Sequence, residues 1–191
     1  MNAEQVINEF KQTEALLEGH FQLTSGLHST VYLQCARVLQ FPDKAAAFGE
    51  AIARQFAGQG IELVASPAIG GIVIGHEVAR ALGARFIWTE REAGKMTLRR
   101  GFSVSPGEKT LVVEDVITTG GSTRETIDAL REAGANVVGA ASIIDRSAGA
   151  VDVGVPRTAL VSLKVVAVDP SDCDACKLGD PVVKPGSRKT G

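Results

Sequence analysis

Long apolar runs are missing from this 191-residue chain. No stretch approaches the roughly eighteen residues that a membrane-spanning helix needs, so no membrane segment is expected. Residues 1–20 have neither the basic start nor the apolar stretch of a secretory signal, and a cytoplasmic location is the expectation. Cysteine is scarce: Cys35, Cys173 and Cys176 are too few for a disulfide framework. Positive charge is not in excess either. At a formal net charge of -2 the chain lacks the clustered Lys and Arg that give affinity for a phosphate backbone, and nucleic acid is not expected as a partner. There is no internal repeat and no visible DNA-binding segment. Neither GxGxxG nor the P-loop pattern occurs, which counts against a dinucleotide or a nucleoside triphosphate.

What is there is enough apolar material, 45% of the residues, for one good core. Val6, Ile7, Phe10, Ala15, Leu16 and Leu17 recur at roughly helical spacing and predict an opening helix over residues 3–17, ended by Gly19. Residues 20–33 alternate, with a turn signal at Ser25-Gly26, and predict two short strands in a small lobe. Asp43 is a fair N-cap for a helix reaching about residue 57. From there strands and helices alternate: strand 62–66, helix 71–82, strand 85–88, strand 110–113, helix 122–132, strand 136–144. That order implies a parallel sheet covered on both faces, with ligands at the carboxyl ends of its strands. A last β-rich stretch, 158–168, extends an edge. Residues 90–107 are too polar for a core element and too long for an ordinary connection. Carrying Arg91, Lys95, Arg99 and Arg100, they form either a mobile cationic lid or a solvated hairpin turning at Pro106-Gly107.

The chemistry concentrates in residues 111–123, LVVEDVITTGGST. Three apolar residues of a buried strand run into Glu114 and Asp115, and a Thr/Gly/Ser turn then opens a helix. Backbone N–H groups at a helix N-terminus lack partners inside the helix, so such a turn cradles a phosphate. Thr118, Thr119, Ser122 and Thr123 add hydroxyl donors, and Gly120 and Gly121 let the backbone come close. The acids repel a bare phosphate but suit sugar hydroxyls or the water shell of Mg2+. A second turn, Ser-Pro-Ala-Ile-Gly-Gly-Ile at 66–72, is either a second phosphate cradle or simply a tight strand-to-helix turn. Asp145-Arg146 ends a strand at the same rim, where Arg146 either grips a carboxylate in a bidentate pair or makes a surface ion pair. His20, His28 and His76 show no metal-ligand spacing and suit core or surface roles. Cys173-x-x-Cys176 is half of a zinc pattern without a second cysteine pair, which favours a reduced, non-ligating pair. The basic tail from Lys184 reads as a solvated terminus.

VVEDVITTGGST resembles the 5-phosphoribosyl 1-pyrophosphate (PRPP) binding motif of the type I phosphoribosyltransferases. Further stretches resemble the orotate phosphoribosyltransferases among them: GHFQLTSGLHSTVYLQCARVLQFP at 19–42, SPAIGGIVIG at 66–75, TEREAGKMTLRRGF at 89–102, Asp145-Arg146, and CDACKLGDPVVKPGSR at the end. The resemblance implies an α/β fold of type I phosphoribosyltransferase kind, a central mostly parallel sheet flanked by helices, with a small N-terminal hood and a flexible active-site loop. The whole chain would be one domain, with its hood in about 1–42 plus the C-terminal segment and its core in about 43–168. It also implies transfer of the phosphoribosyl group from PRPP to orotate, giving orotidine 5′-monophosphate and pyrophosphate in pyrimidine (UMP) biosynthesis. By that likeness Glu114, Asp115, Val116, Ile117, Thr118, Thr119, Gly120, Gly121 and Ser122 hold PRPP, the acids taking the ribose hydroxyls. Thr118 and Arg146 contact orotate, and Ile69, Gly70 and Gly71 face the pyrophosphate. Lys95 and Arg91 are the active cations of a 90–104 loop that closes over the neighbouring subunit of a homodimer, and Asp115 joins them as catalytic. Mg2+ rides on PRPP and water rather than on a protein cage. Many relatives carry lysine at the positions of Thr24 and Gly70, and histidine near Met96. A purine-base phosphoribosyltransferase and a non-catalytic PRPP sensor are the competing expectations.

Overall fold

In a computed structural model that describes residues 1–23 and 25–185, the chain opens with α1 (Ala3–Gln12). Asn2 and Gln5 form its capping box, each side chain accepting from the other's backbone N–H at 2.8–2.9 Å. The helix stops five residues short of the predicted end. Glu14 takes a left-handed turn at φ 52, and Leu16 and Leu17 instead begin β1 (Leu16–Gln22), which pairs antiparallel with β2 (His28–Leu33). Gly19 therefore ends no helix; it lies where the β1 register shifts between Glu18 and Phe21. A short α2 (Ala36–Leu39), which the periodicity did not signal, leads to α3 (Pro42–Gln55). Phe41 stands at the N-cap and Pro42 at the first helical position. Asp43 is thus not the cap but a first-turn acid, placed where the helix dipole favours negative charge.

The main sheet follows the predicted alternation: β3 (Leu63–Pro67), α4 (Gly71–Leu82), β4 (Arg85–Glu92), β5 (Lys95–Leu98), β6 (Lys109–Ile117), α5 (Gly121–Glu132), β7 (Asn136–Asp145) and β8 (Arg157–Ser162). Its order is β5-β4-β3-β6-β7-β8, parallel except for β5 at one edge. Successive residues of a strand face opposite sides. On one side Val64, Leu111, Val113 and Ile143 pack with Phe48, Ile52, Ile74 and Val78 of α3 and α4, and Phe10 of α1 joins them. On the other, Leu63, Ala65, Ile87 and Val112 meet Ile127 and Leu130 of α5. The predicted edge stretch divides: β8 completes the main sheet, whereas β9 (Ala167–Val168) pairs with β2 in the small sheet β1-β2-β9.

Residues 90–107 resolve into the hairpin, but it turns at Ala93-Gly94, with Arg91 opposite Met96. Pro106-Gly107 forms a separate turn before β6. Met96 is buried, and Phe102 packs edge-on against Trp88 at 4.7 Å, fixing the return limb. Arg100 binds Glu90 at 2.6 Å, and Arg99 reaches Glu90 and Glu92 at 3.4 Å, so these two cations are engaged within the strand pair.

After α6 (Asp174–Lys177) the described residues run back to β1, to which Val183 is hydrogen-bonded. Gln22 N donates to Val183 O and Val183 N to His20 O, both at 2.9 Å. Val183, just before the basic tail, is thus tied to β1, while Lys184 itself is exposed and Pro185 half-buried; Thr24 and, in the tail, Gly186, Ser187, Arg188 and Lys189 lie outside the described residues. His20 and His28, expected in separate roles, meet each other and the Cys173/Cys176 pair.

Candidate active site

The site begins with β6, which continues through the two acids instead of ending before them. Its ladder to β7 holds, Glu114 opposite Ser142 and Ile117 opposite Asp145, because polar side chains do not interrupt backbone pairing. Glu114 is only 6% exposed. It accepts from Ser122 Oγ at 3.1 Å and from Asp115 N at 3.2 Å, while Asp115 accepts from Val116 N at 2.8 Å. Burial, and after it the charge of Asp115, pushes the Glu114 carboxyl up to about 9. Burial also raises Asp115, against the hydrogen bonds it receives. Two carboxyls this close and this dry hold a proton until partners for the charged form arrive. Cys35, buried beside Asp115, has its thiol pushed up by burial and then by that acid.

Both glycine-rich turns converge on this pair. A Cβ on Gly70 would come 2.9 Å from Asp115 Oδ1, and one on Gly71 would come 3.1 Å from Glu114 Oε1. The turn at 68–71 thus lies directly against the acids, with a cis peptide between Ala68 and Ile69 and with Ile69 84% exposed. The second turn is set by Gly120, at φ 70 and ψ 10, from which α5 departs with no side-chain cap. Its first N–H groups are left for an anion. Arg124 braces the turn by donating to Thr119 O at 2.9 Å and Asp152 O at 2.7 Å.

A cavity of about 570 Å³ opens beside the turn, within the usual size of a small-molecule site. Thr118, Thr119 and Arg146 form one wall, Tyr32 and Leu27 of the hood another, and Lys184 of the docked tail a third. Arg146 Nε is buried with no hydrogen-bond partner among the described residues. Burial lowers the pKa of its guanidinium, yet it stays a cation and wants an acceptor. The neighbouring Asp145 does not share this rim as expected. Adjacent strand residues face opposite ways, and Asp145 turns inward to Arg157 at 3.0 Å, to Ser147 N and Oγ, and to Gly149 N. Burial opposes its charge, but the Ser147, Gly149 and Arg157 donors outweigh that and hold the carboxyl at about 2.

Glu114 through Ser122, Ile69 through Gly71 and Arg146 are therefore brought to one end of the sheet. Arg91 and Lys95 are not. Arg91 binds Glu125 of α5 and Gly94 O, both at 2.6 Å, and Lys95 lines a groove with Glu125 and Asp128. Tyr32, Cys35 and Lys184 reach the site without having been singled out as site residues. Each comes from a segment distant in sequence, and only the cationic tail gave a hint.

Residues 37–172 match the phosphoribosyl transferase domain family. The chain is similar to an orotate phosphoribosyltransferase of Pelotomaculum thermopropionicum, 56% identical over 189 residues and covering 99% of this chain and 100% of that one. It is also 53% identical to that of Thermotoga maritima over 178 residues, 93% and 95% of the two chains. Among solved structures, orotate phosphoribosyltransferase from Aeropyrum pernix superposes with a TM-score of 0.66 at 25% identity, over 83% of this chain and 94% of that one. Adenine phosphoribosyltransferase from Rhodothermus marinus, at 0.63 and 23% over 84% and 99%, shares the fold.

Proposed function

The chain belongs to the orotate phosphoribosyltransferases of the phosphoribosyltransferase family, and from that membership we propose how its residues divide the transfer of the phosphoribosyl group from PRPP to orotate. The products are orotidine 5′-monophosphate and pyrophosphate, on the route to UMP. The observation that carries the assignment is Arg146: a half-buried guanidinium on the cavity wall beside Thr118, its enclosed Nε without a hydrogen-bond partner among the described residues. A planar carboxylate is the partner that satisfies such a group best. Orotate brings one and a purine base does not.

The uncapped start of α5, with Thr118, Thr119 and Ser122, takes the 5′-phosphate. Glu114 and Asp115 take the ribose hydroxyls, whose donated hydrogen bonds favour the charged carboxylates that burial disfavours. In the reaction the C1–oxygen bond to pyrophosphate breaks as the bond from C1 to the orotate ring nitrogen forms, and that nitrogen's proton leaves to the departing pyrophosphate or to solvent. Positive charge develops on the ribose near Asp115 and negative charge on the departing pyrophosphate. Backbone groups at Ile69, Gly70 and Gly71 face the latter, against acids that a side chain at Gly70 would crowd. Mg2+ fits this division. Two carboxyls that already hold Ser122 and backbone N–H groups make no protein cage, and Mg2+ commonly binds through substrate phosphates and water with few carboxylates. When bound, it neutralises the pyrophosphate oxygens.

The same reading makes the protein a cytoplasmic homodimer in which Arg91 and Lys95 serve the partner's site; no helix among the described residues is long and apolar enough to cross a membrane. Lys184 lines the cavity with Leu23 and Ser25 and brings a positive charge to that wall. Loss of orotate absorbance on mixing protein, PRPP, Mg2+ and orotate tests the function. The expected signal needs every component. Turnover of adenine or guanine in place of orotate, or PRPP binding without turnover, would install one of the two competing readings.

A further inference from the structure

Outside the cavity, four side chains that could bind a metal converge where the C-terminal segment meets the hood. Asp174–Lys177 forms one helical turn, with Cys173 at its N-cap and Cys176 three residues on, so both thiols face the same side. Across from them, β1 and β2 present His20 and His28 with ring centres 4.8 Å apart. His20 Nε2 lies 2.9 Å from His28 Nδ1, 3.4 Å from Cys173 Sγ and 3.5 Å from Cys176 Sγ, and Cys176 Sγ is 3.2 Å from His28 Nδ1. All four ligand atoms lie within 4.8 Å of one another, and no disulfide joins the thiols.

We propose that His20, His28, Cys173 and Cys176 form a tetrahedral zinc site that clasps the C-terminal segment to the hood. Zinc bonds of about 2.0–2.1 Å to nitrogen and about 2.3 Å to sulfur put tetrahedral ligand atoms roughly 3.4–3.8 Å apart. The separations of 2.9–3.5 Å need only small rotations to meet that. The orientation of His20 is already fixed. Its Nδ1 is 3.0 Å from the Asp180 carbonyl, which only accepts, so Nδ1 carries the proton and Nε2 turns its lone pair toward the cluster. His28 and Cys173 are buried, as a structural site requires. Two thiolates and two neutral imidazoles cancel the charge of Zn2+, and one mixed nitrogen–sulfur set around one point selects zinc over the oxygen-loving Mg2+ or Ca2+. Four protein ligands close the coordination shell, so the ion is structural.

Its position gives it a consequence for the cavity. His20 O receives the Val183 N–H, and Lys184, the next residue, lines the cavity. The clasp is a positioning device for that wall.

Metal analysis of the full-length protein, purified in reductant without chelator, tests the proposal whether or not the transferase assignment holds. About one zinc per chain is expected, falling to a small fraction in Cys173→Ser and in His28→Asn. Cobalt exchanged into the wild type should show the visible bands of a tetrahedral ion together with sulfur-to-cobalt charge transfer, a readout that does not depend on either variant folding. Chelated protein should melt at a lower temperature, and its KM for orotate should rise more than its KM for PRPP, with both restored by Zn2+. Protein that neither contains nor takes up zinc, zinc retained in both variants, octahedral cobalt spectra, or a Cys173–Cys176 disulfide in freshly purified protein would overturn it.

Discussion

Glu114 is asked to be buried and to be charged, and the two demands oppose each other. An ordinary glutamate carboxyl titrates near 4.5, and this one at about 9. Between those values the folded chain keeps a proton that the unfolded chain releases, so stability falls as pH rises through the window and levels off above about 9. Glu114→Gln removes that loss. In the absence of ligand its stabilising effect should be almost nothing near pH 4.5 and grow by up to about 1.4 kcal/mol per pH unit towards pH 8. Thermal melts at the two pH values check this; equal shifts at both would mean that the proton is not the cause. Activity should move the other way, by about tenfold or more in kcat/KM for PRPP, because a ribose hydroxyl loses a charged acceptor. At Arg146 the unpaired Nε makes a different prediction. Arg146→Ala should raise KM for orotate by about tenfold or more, the cost of losing a charge-assisted pair at a half-buried guanidinium, with a smaller change for PRPP. Equal changes in both KM values would break the assignment of the carboxylate.

The start of α5 shows why one turn needs its glycine. Gly120 sits at φ 70, and a Cβ there would come 2.6 Å from Val151 Cγ1 and 2.9 Å from Val153 Cγ1. Gly120→Ala therefore meets both the left-handed penalty of about 1–2 kcal/mol and an overpacked contact. A lowered melting temperature and a raised KM for PRPP are expected together; a melt unchanged from the wild type would show that the turn relaxes freely. That turn, α4 and α5 were legible in the sequence, because glycine, hydroxyl and apolar residues there follow local rules that tertiary packing does not override. The end of β6 was not. Glu114 and Asp115 look like a strand terminus, but the β7 ladder carries the backbone past them. Leu16 and Leu17 satisfied a helical period and a strand period alike, and pairing with β2 decided for the strand. The meeting of His20 and His28 with Cys173 and Cys176 was hidden for another reason: about 150 residues separate the pairs, and no local spacing encodes the contact.

In the proposed mechanism Arg91 and Lys95 are the cations that stabilise the leaving group, yet the hairpin carries them beside α5, where Arg91 binds Glu125. One chain thus holds the acids, the cradle and Arg146 on one surface and these cations on another. In the proposed homodimer each hairpin completes the partner's cavity, and that arrangement has a signature no single-chain arrangement shares. Lys95→Ala should lower kcat at least about tenfold with the fold intact, since losing one preorganised donor typically costs about 2.7–4 kcal/mol in the barrier. Mixed with Arg146→Ala protein under conditions that allow subunits to exchange, it should regain activity. About half of the dimers then pair one chain of each kind, and in each of these one site has both an intact Arg146 and an intact partner hairpin, so the mixture should approach roughly a quarter of wild-type turnover. If the hairpin instead folded back over its own cavity, every site in the mixture would lack one group or the other. Activity would then stay at the sum of the two variants measured separately.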